Sequence, residues 1–230
     1  MTNNPYLNGQ VLLIDKPLNW TSFQVVNKIR WLIRKQFNIK KIKVGHAGTL
    51  DPLASGLLII CTGKETKNIN TYQAQEKEYT GTITLGATTP SYDLETEVDQ
   101  TFPIDHITEE LLKKSTEEFT GEIQQKPPIF SAIKKDGKRL YDIARAGETT
   151  EIKSRTVTIH DFELTHINLP NVDFKVSCSK GTYIRSLAND FGKAVNSGGH
   201  LSALRRTAIG NYRVENAMGI EAFEEMLTSS

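Results

Sequence analysis

The segment Gly45–Gly56, GHAGTLDPLASG, sets one histidine and one carboxylate among three glycines and a proline, between a basic stretch and an apolar run. Asp51 is the first acidic residue after Asp15, whereas residues 16 to 50 hold eight Lys or Arg: Lys16, Lys28, Arg30, Arg34, Lys35, Lys40, Lys41 and Lys43. A lone carboxylate in such surroundings suggests a reactive group approached by a polyanion. Asp51 before Pro52 also suits a helix start, the side chain accepting a backbone N–H while Pro fills the first helical position. Ser55-Gly56 would end that helix after about one turn, too short to need a strong cap. The run Leu57-Leu58-Ile59-Ile60-Cys61 then reads as a buried strand, which places Asp51 on a tight loop feeding the core.

The elements that must position this loop are legible from periodicity and punctuation. Val11 to Asp15 predicts a first strand. Thr21-Ser22 predicts a capped helix to about Gln36, with Phe23, Val26, Ile29 or Trp31, Ile33 and Phe37 along its apolar stripe. Glu78 to Leu85 alternates as a half-buried strand with Tyr79, Gly81, Ile83 and Leu85 on one face. An acidic helix is expected over Ile107 to Phe119, begun by Thr108, with Leu111 and Leu112 inward. Asp136-Gly137 predicts a hairpin turn, followed by a short helix from Leu140 to Ala146 that ends at Gly147. Strands are expected at about Arg155 to Asn168 and Val172 to Cys178, joined at Pro170-Asn171. A helix follows from Tyr183 to Val195, then a strand-like stretch from Thr207 to Val214, and a last short helix after Gly219. Strands and helices interleave without regular β-α alternation or repeats, which implies an α+β class with a mixed sheet.

The chain has 230 residues, enough for one large domain or two small ones. MTNNPYLNGQ lacks the form of a signal peptide, and no apolar stretch is long enough to span a bilayer. Cys61 and Cys178 read as buried reduced thiols of a cytoplasmic protein. The five histidines, His46, His106, His160, His166 and His200, show no metal-ligand spacing, so no metal is expected.

A net charge of +1 hides a strong asymmetry, because Ser91 to Glu122 carries ten acidic residues against two lysines. Residues 126 to 145 are basic, with Lys126, Lys134, Lys135, Lys138, Arg139 and Arg145. So is the C-terminal part, with Lys180, Arg185, Lys193, Arg205, Arg206 and Arg213. Three basic segments converging on one cleft would bind a nucleic acid in a salt-dependent way; as separate runs they are solvated faces.

Four ordered pieces resemble one family. GHAGTLDPLASGLLIICTG from Gly45 to Gly63 is similar to the catalytic motif of the TruB family, the bacterial tRNA pseudouridine-55 synthases. CSKGTYIRS from Cys178 to Ser186, VLLIDKP from Val11 to Pro17, and Leu204-Arg205-Arg206 match its other motifs. The resemblance implies a pseudouridine synthase fold, a mixed, mainly antiparallel central sheet with flanking helices and an active-site cleft. It also implies isomerisation of the uridine at tRNA position 55 in the T loop, with no cofactor, no guide RNA and no membrane association, by a cytoplasmic monomer.

By the same resemblance Asp51 is the essential carboxylate, adding to C6 of the base, attacking C1′ or removing the 2′ proton. Tyr79 stacks on the flipped base and Arg185 pairs with the catalytic Asp. His46 fills the gap left in the RNA loop, and Tyr183 and Leu204 line the uracil pocket. Lys16 and Lys67 stand near the cleft, in a phosphate contact or a structural ion pair. Read alone, Tyr79 and Leu204 are ordinary core residues, Arg185 a surface helix charge and His46 a loop residue.

The chain departs from the family pattern in three places. Asn19 stands where Gly is usual, and Asn tolerates a left-handed backbone. Pro90 replaces the first of two spaced aspartates, leaving Asp93. The expected organisation is a single catalytic domain over residues 1–230 without a C-terminal PUA domain, its span of about 124–153 serving as an RNA-gripping insertion.

Overall fold

The structure, a computed structural model, describes residues 4–131, 133–135, 137–146 and 150–229. The chain begins with helix α1 (Pro5–Asn8), strand β1 (Val11–Lys16), helix α2 (Ser22–Gln36), β2 (Val44–His46), β3 (Ala54–Thr62), α3 (Ile69–Gln73) and β4 (Lys77–Leu85). It continues with β5 (Ala87–Thr88), β6 (Gln100–Thr101), α4 (Glu109–Glu118), β7 (Gly121–Gln125), β8 (Lys134–Lys135), β9 (Lys138–Arg139) and α5 (Leu140–Arg145). It ends with β10 (Arg155–Asn168), β11 (Asn171–Cys178), α6 (Ile184–Ala194), β12 (Gly199–Ile209), β13 (Tyr212–Arg213) and α7 (Ile220–Thr228). Two compact units emerge, Met1–Tyr79 with Leu204–Ser230, and Thr80–Ala203.

In the first unit β3 is the organising strand. β1 pairs antiparallel with it from Val11↔Cys61 to Lys16↔Gly56. On its other edge β12 pairs parallel through Leu204↔Ala54, Arg205↔Ser55 and Arg206↔Gly56, while β2 pairs antiparallel from Val44↔Thr62 to His46↔Ile60. The two partners leave a gap on that edge opposite residues 57–59. Leu58 and Ile60 face a core shared with Leu12, Ile14, Ile29, Ile33 and Phe223, whereas Leu57, Ile59 and Cys61 face one with Ala47, Ile209 and Val214. A strand covered on both faces must be apolar throughout, which explains the unbroken run.

Helix α2 starts as expected. Thr21 accepts from Gln24 N–H and the Gln24 side chain accepts from Thr21 N–H, a complete capping box. Its buried stripe is Val25, Val26, Ile29, Leu32 and Ile33. Of the expected stripe, Ile29 rather than Trp31 is buried, and Phe23 is not: Phe23 and Trp31 stand outward, 65% and 49% exposed, because they fall away from the buried side of the 3.6-residue turn. Asn19 has φ +64°, the left-handed backbone that its departure from glycine requires.

The second unit orders β4, β11, β10 and β7 side by side. β10 runs antiparallel to both β11 and β7. Phe162 meets both Phe174 and Phe191 edge-on, packing α6 against the sheet. β12 begins at Gly199, eight residues before the strand expected at Thr207: its glycine start gives no local strand signal, and pairing between β3 and β4 makes it a strand. The Lys134↔Arg139 pairing agrees with the expected hairpin, but Asp136 of its turn and Gly147 at the end of α5 lie outside the described residues.

Candidate active site

Asp51 lies on the loop between β2 and β3, and that loop is tied down on both sides of it. No helix forms there: Ala54 N–H donates to the Asp51 carbonyl, closing a turn, and Ser55-Gly56 belong to β3. The Ser22 hydroxyl accepts from Leu50 N–H at 2.8 Å and donates to the Leu50 carbonyl at 3.0 Å. Asn19 N–H donates to the Pro52 carbonyl at 2.8 Å. The first turn of α2 and the Asn19 turn therefore hold the residues flanking the carboxylate.

Arg206 holds the other end of the loop. Its side chain fills the gap on the β3 edge, donating from Nε to the Leu57 carbonyl at 2.8 Å and from Nη2 to the Gly48 carbonyl at 3.1 Å, with Nη1 3.5 Å from the Thr49 carbonyl. Ala47 N–H takes the Ile59 carbonyl of the same edge. Arg206 is 1% exposed. It was expected in a phosphate-binding segment, yet burial turns it to backbone carbonyls instead. Its neighbour Arg205 grips both oxygens of Asp15, at 3.0 and 2.7 Å, so this cation also serves the fold.

Lys16 is fully buried, donating to the Pro17 and Trp20 carbonyls at 2.9 and 2.6 Å. That burial corrects the phosphate-contact alternative, since the ammonium has no face to offer a solvent-borne anion. Burial pushes its pKa down to about 8, the Asp51 charge opposing that shift and Arg206 adding to it. His46, half-buried on β2, is held below the ordinary imidazole range by burial first and by Arg206 second, with a Gly48 backbone hydrogen bond opposing, so it is neutral at pH 7. Leu204 sits half-buried beside Ala54 on β12, Tyr79 is buried on β4, and Lys67 is exposed on the 3₁₀ turn Gly63–Asn68.

In the second unit Arg185 opens α6 from a buried position, which excludes the surface-charge reading. Its Nη1 donates to the Ser91 carbonyl at 3.1 Å and its Nη2 to the Phe130 carbonyl at 2.9 Å, while Nε lies 3.5 Å from Asp93 Oδ2. Asp93 is thus an ion partner of Arg185, the aspartate that remains where Pro90 replaces the other. Tyr183 is bracketed by Gln125, whose amide accepts from Tyr183 N–H at 2.8 Å and donates to its carbonyl at 3.0 Å. The Arg155 guanidinium stacks 4.6 Å from the Tyr183 ring centre and donates to the Gly181 carbonyl. Gln125 carries no sequence signal of this role, and Arg206 stands out only as part of a basic run and of the Leu204-Arg205-Arg206 match; a buried Gln or Arg has no local signal that distinguishes it from a solvated one.

Chemically, the first unit offers a carboxylate on a pre-tied loop, a buried cation in its field and an imidazole at the end of the strand that leads into that loop. Such an arrangement suits a reaction in which charge develops beside the carboxylate, because a fixed geometry costs no reorganisation at that moment. Among the described residues no helix is long and apolar enough to cross a membrane.

Residues 34–184 match the family model described as TruB family pseudouridylate synthase, N-terminal domain, and residues 185–229 match the tRNA pseudouridylate synthase B C-terminal domain. The tRNA pseudouridine synthase B of Flavobacterium johnsoniae is 67% identical over 228 residues, covering 99% of this chain and 100% of that one. That of Phocaeicola vulgatus is 56% identical, over 96% of this chain and 94% of its own. Among solved structures, a chain of a Cbf5-Nop10-Gar1 complex is 31% identical with a TM-score of 0.71, covering 96% of this chain. One from an H/ACA RNP bound to a substrate RNA containing 2′-deoxyuridine is 27% identical with a TM-score of 0.69, covering 98%. The present chain spans 54% and 55% of the length of those two.

Proposed function

The chain belongs to the TruB family and is a pseudouridine synthase, and from that premise we propose that it isomerises the uridine at position 55 in the T loop of tRNA without a guide RNA. The C1′–N1 bond breaks, the uracil turns in its pocket, C1′ bonds to C5, the C5 proton leaves to solvent and N1 gains a proton. No electrons or groups are exchanged with a second reactant.

Asp51 supplies the carboxylate that starts glycosidic cleavage. The observation that carries this role is the double tie on its loop, with Ser22 at Leu50 and Arg206 at Gly48, which fixes one carboxylate beside the buried Lys16. Tyr79 stacks on the flipped base, a contact worth about 1–3 kcal/mol against the few that flipping costs. His46, neutral, enters the RNA loop, Tyr183 and Leu204 contact the uracil, Lys67 contacts phosphate, and Arg185, held by Asp93, completes the charged set. The basic span 124–153 grips the RNA.

The test is tritium release from C5-tritiated uridine in unmodified tRNA transcripts, comparing the wild type, Asp51→Asn and a transcript with cytidine at position 55. Release that needs both Asp51 and that uridine is expected. Appreciable turnover by Asp51→Asn would refute the role given to Asp51, and release from the cytidine transcript would refute the position.

A further inference from the structure

The first unit contains a groove of about 620 Å³ of which the reading above uses only Lys67. One wall comes from the end of α2 and the loop after it, with Arg30, Arg34, Lys40, Lys41 and Lys43; the floor is the 3₁₀ turn, with Gly63, Lys64, Thr66 and Lys67. Seven cations line it and no carboxylate does. The acid nearest in sequence, Glu65, is turned away: Tyr72 Oη donates to it at 2.6 Å and Asn68 at 3.1 Å, and those bonds hold its pKa below the ordinary range. Arg30 is pinned in the wall by Asn27 at 2.6 Å and the Val44 carbonyl at 3.0 Å. None of the seven forms an ion pair among the described residues.

A helix C-terminus favours cations through its dipole, which accounts for Arg34 and not for the other six. Seven unneutralised charges around one concavity repel each other and raise the local concentration of anions. We infer that this groove binds the phosphate backbone of the RNA substrate outside the nucleotide that reacts. The inference rests on the reading that the substrate is RNA.

Two observations favour a nucleic-acid strand. Lys43 in the wall lies three residues before His46, and β2 runs between them, so about 10 Å of strand separates the groove from the loop that carries Asp51. Gly63 N–H donates to the Lys43 carbonyl at 2.8 Å, which fixes wall to floor next to that strand. A chain of phosphates reaching Asp51 can lie in the groove within a few nucleotides. A lipid surface, by contrast, calls for a convex or flat face.

The test combines Arg34→Gln, Lys40→Gln and Lys41→Gln, all exposed, and compares the triple variant with the wild type in tRNA binding from 50 to 300 mM salt, in isomerisation kinetics and in sedimentation with phosphatidylserine vesicles. The expected result is a log–log salt slope shallower by about 2, since each lost phosphate contact removes about 0.7–0.9, and a KM raised more than kcat is lowered. Urea midpoints of the two proteins control for folding. An unchanged slope and KM overturn the proposal, as does vesicle binding that the variant loses while its RNA binding is kept. If neither protein isomerises uridine yet the slopes differ as expected, the function proposed above fails and the groove stands.

Discussion

Arg206 and Gly48, 158 positions apart in the chain, are joined by a 3.1 Å hydrogen bond from the guanidinium to the carbonyl near the start of the Asp51 loop.

The same guanidinium takes the Leu57 carbonyl, so one side chain closes the open edge of β3 and anchors the loop leaving it. Arg206→Lys keeps the charge and loses the fork, leaving at least one buried carbonyl without a donor at a cost of about 1–3 kcal/mol. Single-turnover isomerisation is expected to fall about tenfold or more with tRNA affinity within several-fold. An unchanged single-turnover rate would show that the loop does not depend on this anchor.

Gly56 has φ +103°, and a Cβ there would lie 2.3 Å from the Arg206 carbonyl oxygen and 2.8 Å from its nitrogen. Backbone strain alone costs about 1–3 kcal/mol, and the contact with β12 adds to it. Gly56→Ala should lower unfolding free energy in urea by at least about 2 kcal/mol; a loss under about 0.5 kcal/mol would mean that β3 and β12 part easily.

Lys16 titrates near 8 in the folded protein and at about 10.4 in an unfolded chain. Between these values the unfolded state binds more protons, so the residue's contribution to stability rises with pH across that window and its burial penalty is fully present below it. Wild-type stability minus that of Lys16→Met is therefore expected to be larger at pH 9.5 than at pH 7.5, by urea unfolding. A difference that stays level or shrinks would contradict the lowered pKa.

The Arg185–Asp93 pair, 3.5 Å apart and buried on both sides, should couple measurably. A double-mutant cycle with Asp93→Asn and Arg185→Met is expected to give an interaction of about 1–3 kcal/mol in unfolding free energy. Strict additivity would reduce the pair to chance proximity.

Much was legible in the chain itself. The Thr21 cap, the Leu57–Cys61 strand, the Asp51 loop and the left-handed Asn19 all follow from local hydrogen bonding, periodicity and backbone sterics, which adjacent residues encode. The start of β12 did not, because a glycine opens it and only its neighbours make it a strand.

The tertiary structure decided which charges serve the fold. Arg206, Arg205 and Lys16 read like any other basic residues in a cation-rich sequence. One became a buried brace, one an ion pair with Asp15 and one a buried donor to Pro17 and Trp20. A cation can be buried only where carbonyls or carboxylates meet it, and for Arg206 those carbonyls come from residues about 150 positions away in sequence, beyond the reach of any local pattern.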